Sequence, residues 1–182
     1  MYGLVNRAIE QLVVSLKGEA AWEEICTAAD WPDGGFVAMQ TYDDAVTYRL
    51  VGAVSQHLGL TPEQVLRAFG EYWILYTAEE GYGDMLAMCG SDLIGFLHGM
   101  NQMHARIEAS LPDIRPPHFQ VKELGPAEFE LTYASKREGL APMVEGLITG
   151  LAKRFGQQVD IQHTAQRSAQ APQDCFLIKI LQ

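Results

Sequence analysis

No stretch of the chain approaches the roughly 18 uninterrupted apolar residues that a membrane span requires, and the N-terminus has no basic segment followed by an apolar block. Neither a membrane anchor nor a secretory leader is expected, and the protein is expected to be cytoplasmic. Basic residues are scarce. Thirteen Lys and Arg stand against 23 Asp and Glu, a net charge of −10, which repels nucleic acid and anionic lipid. Cysteine is scarcer still: Cys26, Cys89 and Cys175 are scattered without CxxC or CxxCH spacing. A disulfide framework, a zinc ribbon and covalent attachment of a c-type haem are therefore not indicated, and the three read as free thiols. No internal repeat or low-complexity segment is visible.

The 182 residues suit one domain by length, and 48% hydrophobic content is ample for a core that also encloses a ligand. Up to Ser110 the periodicity is helical, with helices expected over Leu4–Leu16, Ala20–Ala29, Asp43–Leu58, Thr61–Thr77, Gly83–Met88 and Ser91–Leu111. Thr61-Pro62-Glu63-Gln64 supplies a threonine N-cap, a proline at the first helical position and a capping-box glutamine. Ser91 before Asp92 opens the last of these helices in the same style. Pro112, Pro116 and Pro117 end the pattern. Strands follow at Phe119–Leu124 and Glu128–Ala134, a helix at Gly139–Phe155, and strands at Val159–Thr164 and Phe176–Leu181. The polar tract Gln166–Asp174 reads as a loop between two antiparallel strands. The expected class is α+β: one domain over 1–182, with a helical lobe (1–111) against a lobe containing an antiparallel sheet and one helix (112–182), and a ligand pocket between them.

Two features carry chemistry. Tyr133, Ser135 and Arg137 stand at alternate positions, so in an extended backbone a phenol, a hydroxyl and a guanidinium project together as a claw for a carboxylate. The same spacing also suits an exposed strand edge running into a helix. The second feature is His104. Leu93, Leu97, Met100, Ile107 and Leu111 form one helical stripe with steps of four, three, seven and four, and His104 fills the gap. His98 falls out of phase, beside Asn101, Ala105 and Glu108 on the wetter face. A core-facing imidazole is either a hydrogen-bonded structural group or a metal ligand. Together, a buried histidine and a carboxylate claw suggest a ligand carrying both a metal and acidic groups. Haem has both.

These residues resemble an H-NOX domain, the haem-nitric oxide/oxygen binding module of bacterial gas sensors and of the β subunit of soluble guanylate cyclase. The likeness runs nearly end to end. It takes in Met1-Tyr2-Gly3-Leu4-Val5-Asn6, Phe69-Gly70-Glu71-Tyr72-Trp73, Glu80-Gly81-Tyr82-Gly83, His104, Pro116-Pro117, the claw, and Gly139-Leu140-Ala141-Pro142-Met143. The opening and the Trp73 segment look closest to the cyanobacterial, cyclase-like branch. The resemblance implies a non-covalent b-type haem, iron in protoporphyrin IX, with His104 as its sole protein ligand. By the same likeness Tyr133, Ser135 and Arg137 bind the propionates, and Pro117 presses the porphyrin out of plane; a helix-stopping proline fits that position equally well. Val5, Ile9, Trp73, Met143 and Leu147 are implied around the open face of the haem. Oxygen-binding members carry a tyrosine at the position of Met143, and a thioether has no proton to donate to bound oxygen. Trp73 either offers its indole N–H there or only fills space. His57, His118 and His163 have no partner pattern, and His163 and Cys175 alone do not make the zinc site of some relatives.

The function this implies is sensing rather than catalysis, with no catalytic residue. Nitric oxide, or carbon monoxide, would bind ferrous iron opposite His104, the bond to His104 would weaken, and the helix carrying it would relax. The expected effector is a histidine kinase or a diguanylate cyclase, or a domain fused to this one. Alternatives are an oxygen- or redox-sensing haem domain, a haem enzyme such as a nitric oxide dioxygenase, and a haem-free interaction module. An enzyme would need acid or base groups at the distal positions, and none of those positions is a histidine, arginine or carboxylate.

Overall fold

Local signals set the helix ends in the computed structural model, which describes residues 1–77, 80, 82–111 and 114–181. Six helices come first: α1 (Gly3–Lys17), α2 (Glu19–Ala28), α3 (Asp44–Leu58), α4 (Pro62–Thr77), α5 (Gly83–Ala87) and α6 (Leu93–Ser110). Strands β1 (His118–Gly125) and β2 (Glu128–Ala134) follow, then α7 (Ala141–Arg154), β3 (Gln158–Ala165) and β4 (Gln173–Leu181). Every expected element is present, in the expected order. The capping box of α4 closes in both directions: the Thr61 amide donates to Gln64 Oε1 at 2.8 Å and the Gln64 amide donates to Thr61 Oγ1 at 3.3 Å.

Most boundaries fall within one or two residues of the sequence reading, and two of the differences have a clear physical cause. Helix α6 is capped by Asp92, not Ser91, because the Asp92 carboxylate accepts the Gly95 amide at 2.8 Å and places negative charge at the helix start. Strand β4 begins at Gln173, inside the tract read as loop. Gln173 and Asp174 pair with Ala134 and Tyr133 of β2, a tertiary ladder that polar composition does not reveal. Pro112 and Gly81 lie outside the described residues.

The sheet is antiparallel throughout, in the order β1-β2-β4-β3. Its alternate residues Phe119, Leu131, Tyr133, Phe176 and Ile178 are buried, on the face that α6 and α7 cover. Leu93, Phe96 and Leu97 of α6 are almost fully buried, each worth about 1.5–3 kcal/mol of transfer free energy. Helices α4 and α7 pack at a distance only glycine allows. A Cβ on Gly70 would lie 2.1 Å from the Met143 carbonyl oxygen, and one on Gly146 would lie 2.0 Å from that of Arg67. This close crossing brings the Trp73 turn of α4 beside the Met143–Leu147 turn of α7. Among the described residues no helix is long and apolar enough to cross a membrane.

Candidate functional site

A cavity of about 680 Å³ lies between the helices and the sheet, within the usual range for small-molecule sites. Val5 and Ile9 of α1, Phe69 and Trp73 of α4, and Met143 and Leu147 of α7 line it, so the structure brings together all five positions expected at an open haem face. None of the lining residues contributed by these three helices is ionisable. Another wall is made by the C-terminal half of α6, through Met100, Met103, His104 and Ile107, and by Pro116 and Pro117. The claw residues Tyr133, Ser135 and Arg137 complete the lining. Among the described lining residues there is no Asp or Glu, whereas Arg106, Arg115 and Arg137 all reach the cavity. That charge distribution suits a largely apolar ligand with an acidic edge.

His104 is half-buried, and its Nδ1 lies 3.1 Å from the carbonyl oxygen of Pro117. A carbonyl only accepts, so Nδ1 carries the proton and Nε2 keeps its lone pair, the arrangement of a metal-ligating imidazole whose ring is oriented by a second group. Burial pushes the His104 pKa below the ordinary imidazole value, and the bond to Pro117 opposes that only in part. The ring is therefore neutral at pH 7. Three residues earlier, Asn101 fixes the same helix to β1: the Phe119 amide donates to Asn101 Oδ1 at 3.0 Å and Asn101 Nδ2 donates back to the Phe119 carbonyl. Asn101 thus belongs to the seam with the sheet rather than to the wetter face, while His98 is exposed as expected.

The claw forms, but not by the geometry its spacing implied. Strand β2 ends at Ala134, so only Tyr133 is positioned by the ladder, and Ser135 and Arg137 sit in the turn beyond. Ser135 Oγ accepts the Arg137 amide at 3.1 Å. Arg137 donates from Nε to Asp44 Oδ2 at 2.9 Å and from Nη1 to the Arg115 carbonyl at 3.0 Å. Burial works to raise the Asp44 pKa, yet hydrogen bonds from the N-terminal ammonium and from Arg137 outweigh it and hold the carboxyl below the usual range. Tyr133 is 4% exposed, and burial raises its pKa, so it remains a neutral hydroxyl.

The hydroxyl-bearing residues Tyr2, Tyr48 and Tyr82 reach the cavity wall, and two threonines do so as well, Thr47 from α3 and Thr77 from α4. The threonine protons are committed: Thr47 donates to Asn6 Oδ1 and Thr77 to the Trp73 carbonyl, each at 2.7 Å. Trp73 stands edge-to-face with Phe69, ring centroids 5.9 Å apart. Asp44, Asn101, Arg115 and Thr47 were missed as site residues. Only Asp44 had a local signal, and it pointed to a helix start. The others are brought in by tertiary packing. His57 and His163, which show no partner pattern in the sequence, take structural contacts, His57 at 3.5 Å from Glu24 and His163 at 3.0 Å from Asp174.

A neutral, oriented imidazole on one wall of an apolar cavity, with an arginine-bearing claw on another, defines a pocket suited to a flat apolar ligand that carries a metal and carboxylates, as haem does. Comparison with known proteins agrees. The family described as Haem-NO-binding matches residues 2–163, and the chain belongs to that family, the haem-binding gas-sensor domains related to soluble guanylate cyclase. It is 28% identical over 180 residues to soluble guanylate cyclase gcy-35 of Caenorhabditis elegans, covering 97% of this chain and 26% of that one. To gcy-32 of the same organism it is 31% identical over 157 residues, covering 85% and 23%. The chain thus spans about a quarter of these relatives' length. Its fold is that of an H-NOX protein from S. oneidensis solved in the Fe(II)NO state, with TM-score 0.89, 23% identity and full coverage of both chains. An oxygen-binding H-NOX domain superposes with TM-score 0.84 at 22% identity, covering 100% of this chain and 96% of that one.

Proposed function

We propose that this domain senses nitric oxide at a non-covalent b-type haem held by His104. The observation that carries the reading is the 3.1 Å contact from His104 Nδ1 to the Pro117 carbonyl, which leaves Nε2 basic and the ring fixed toward the cavity. Haem, once bound, supplies a ferrous iron that takes a diatomic gas. Tyr133, Ser135 and Arg137 would hold its propionates, with Pro117 against the ring. On this reading Val5, Ile9, Met143 and Leu147 keep water away and carry no proton to donate, and Trp73, edge-to-face with Phe69, fills space without giving its indole N–H to the gas, which favours nitric oxide and carbon monoxide over oxygen, since dioxygen gains charge on binding and needs a donor. The domain does no chemistry of its own.

The signal is carried by α6. With His104 released, the Asn101 bonds to Phe119 still tie the helix to β1, and gas would act by shifting the balance between two packings of α6 against the sheet. The output passes to a histidine kinase or a diguanylate cyclase, or to a domain fused to this one. Titrating the reduced apoprotein with haem tests the reading. A Soret band that saturates at a single equivalent is expected; absence of saturable binding would refute it.

A further inference from the structure

We propose that Arg167, in the hairpin between β3 and β4, is the positioning residue of the carboxylate claw. Beyond Ala134 the chain has no strand partner, so the turn bearing Ser135 and Arg137 needs another anchor. Arg167 supplies it: its Nη1 donates to the Ser135 carbonyl at 2.9 Å and to the Arg137 carbonyl at 2.8 Å. One nitrogen therefore fixes the backbone of two of the three claw residues, and a charged donor makes such bonds about twice as strong as neutral ones. Arg167 is itself held. Its amide donates to Asp174 Oδ1 at 3.1 Å, and the same oxygen lies 3.0 Å from Nε2 of His163. Asp174 is 4% exposed and is the register partner of Tyr133. The His163 ring is stacked on Phe176 at 4.8 Å. The third claw residue and the anchor of the other two thus share one neighbour, Asp174, the first as its strand partner and the second through its carboxylate. Arg167 touches no ligand; it acts through the two carbonyls.

The inference rests on the reading that the claw binds haem propionates, and the test separates the two. Haem and its dimethyl ester, which lacks the free carboxylates, are loaded into the wild-type protein, Arg167→Met and Arg167→Lys, and release to an excess of apomyoglobin is followed. Methionine keeps the aliphatic stem and removes the donors. The wild type should release the ester faster than haem. Arg167→Met should speed haem release roughly tenfold, the loss of about one charged hydrogen bond, and leave ester release unchanged. Arg167→Lys should fall between. On an Arg137→Ala background, Arg167→Met should speed haem release by less than it does alone, since only Ser135 is then left to position. If Arg167→Met speeds both ligands equally, or neither, Arg167 is not the positioning residue. If the wild type itself fails to distinguish haem from its ester, the claw does not bind propionates, and the role of Arg167 falls with it.

Discussion

His104 and Pro117 are joined by a single hydrogen bond, Nδ1 to carbonyl oxygen at 3.1 Å. The residue proposed to hold the iron is thereby tied to the residue proposed to press on the porphyrin, and a change at one reaches the other without passing through the rest of α6. Replacing His104 by glycine removes both the ligand and this tie. His104→Gly is expected to lose the protein-derived axial bond and to leave a cavity that added imidazole fills, restoring the five-coordinate ferrous spectrum. Retention of the wild-type spectrum without imidazole would show that another group ligates the iron.

The acidity of His104 has a consequence for the haem-free chain. Burial keeps its folded-state pKa below the ordinary value, and the unfolded chain titrates near ~6.5. Below that pH the unfolded state takes up a proton that the folded state refuses. Stability from this group is therefore complete at higher pH, falls as pH drops through the unfolded value, and levels off beneath the folded one. Urea unfolding at about pH 7.5 and about pH 5.5 should show a larger loss for the wild type than for His104→Leu. Equal losses would mean that His104 does not titrate in this way.

The glycine crossing of α4 and α7 makes a packing prediction. In Gly146→Ala the new methyl group would fall 2.0 Å from the Arg67 carbonyl oxygen, so the helices must separate. The cost is expected to be at least about 1–3 kcal/mol, as for overpacked cores, visible as a lower urea midpoint. Because the crossing also places Trp73 beside Met143 and Leu147, the distal wall should loosen and carbon monoxide rebinding after photolysis should accelerate. Unchanged stability would show that the backbone yields without cost.

How much of this was readable in the chain differs by residue. The α6 stripe located His104 on the cavity side because helical periodicity needs only local spacing. Composition and spacing locate the claw but not its geometry: alternation carries the extended backbone through Arg137, whereas the ladder stops at Ala134. Ser135 and Arg137 are placed by Asp44, Arg115 and Arg167, which are distant in sequence. Asn101 read as a wet-face residue because a side chain that bonds a strand backbone has no periodic signature. Gln173 and Asp174 read as loop because a strand at the register of β2 needs no apolar residue. The distal positions came from family likeness alone, and no spacing rule would have gathered Val5, Trp73 and Met143.

Gas selection depends on which protons face the ligand. Thr47 and Thr77 have theirs bound to Asn6 and to the Trp73 carbonyl, and Met143 has none. Met143→Tyr should introduce a donor and raise oxygen affinity relative to carbon monoxide by about ten- to a hundredfold, the value of roughly 1.5–3 kcal/mol for a hydrogen bond to a charged acceptor. Competitive binding of the two gases to the reduced variant measures it. An unchanged ratio would mean that the phenol is misdirected, with Trp73 as the obstructing neighbour.

If the ferrous protein selects nitric oxide through His104 and the apolar wall of Val5, Ile9, Met143 and Leu147, with the Trp73 N–H turned to no bound gas, the absorption spectrum of the reduced holoprotein shows it. The same sample is recorded in air-saturated buffer and, separately, under anaerobic nitric oxide. No stable oxy band is expected in air, and under nitric oxide the Soret band should shift to the position of a five-coordinate nitrosyl haem as the bond to His104 breaks. A stable oxy spectrum, or a nitrosyl spectrum that stays six-coordinate, would contradict it.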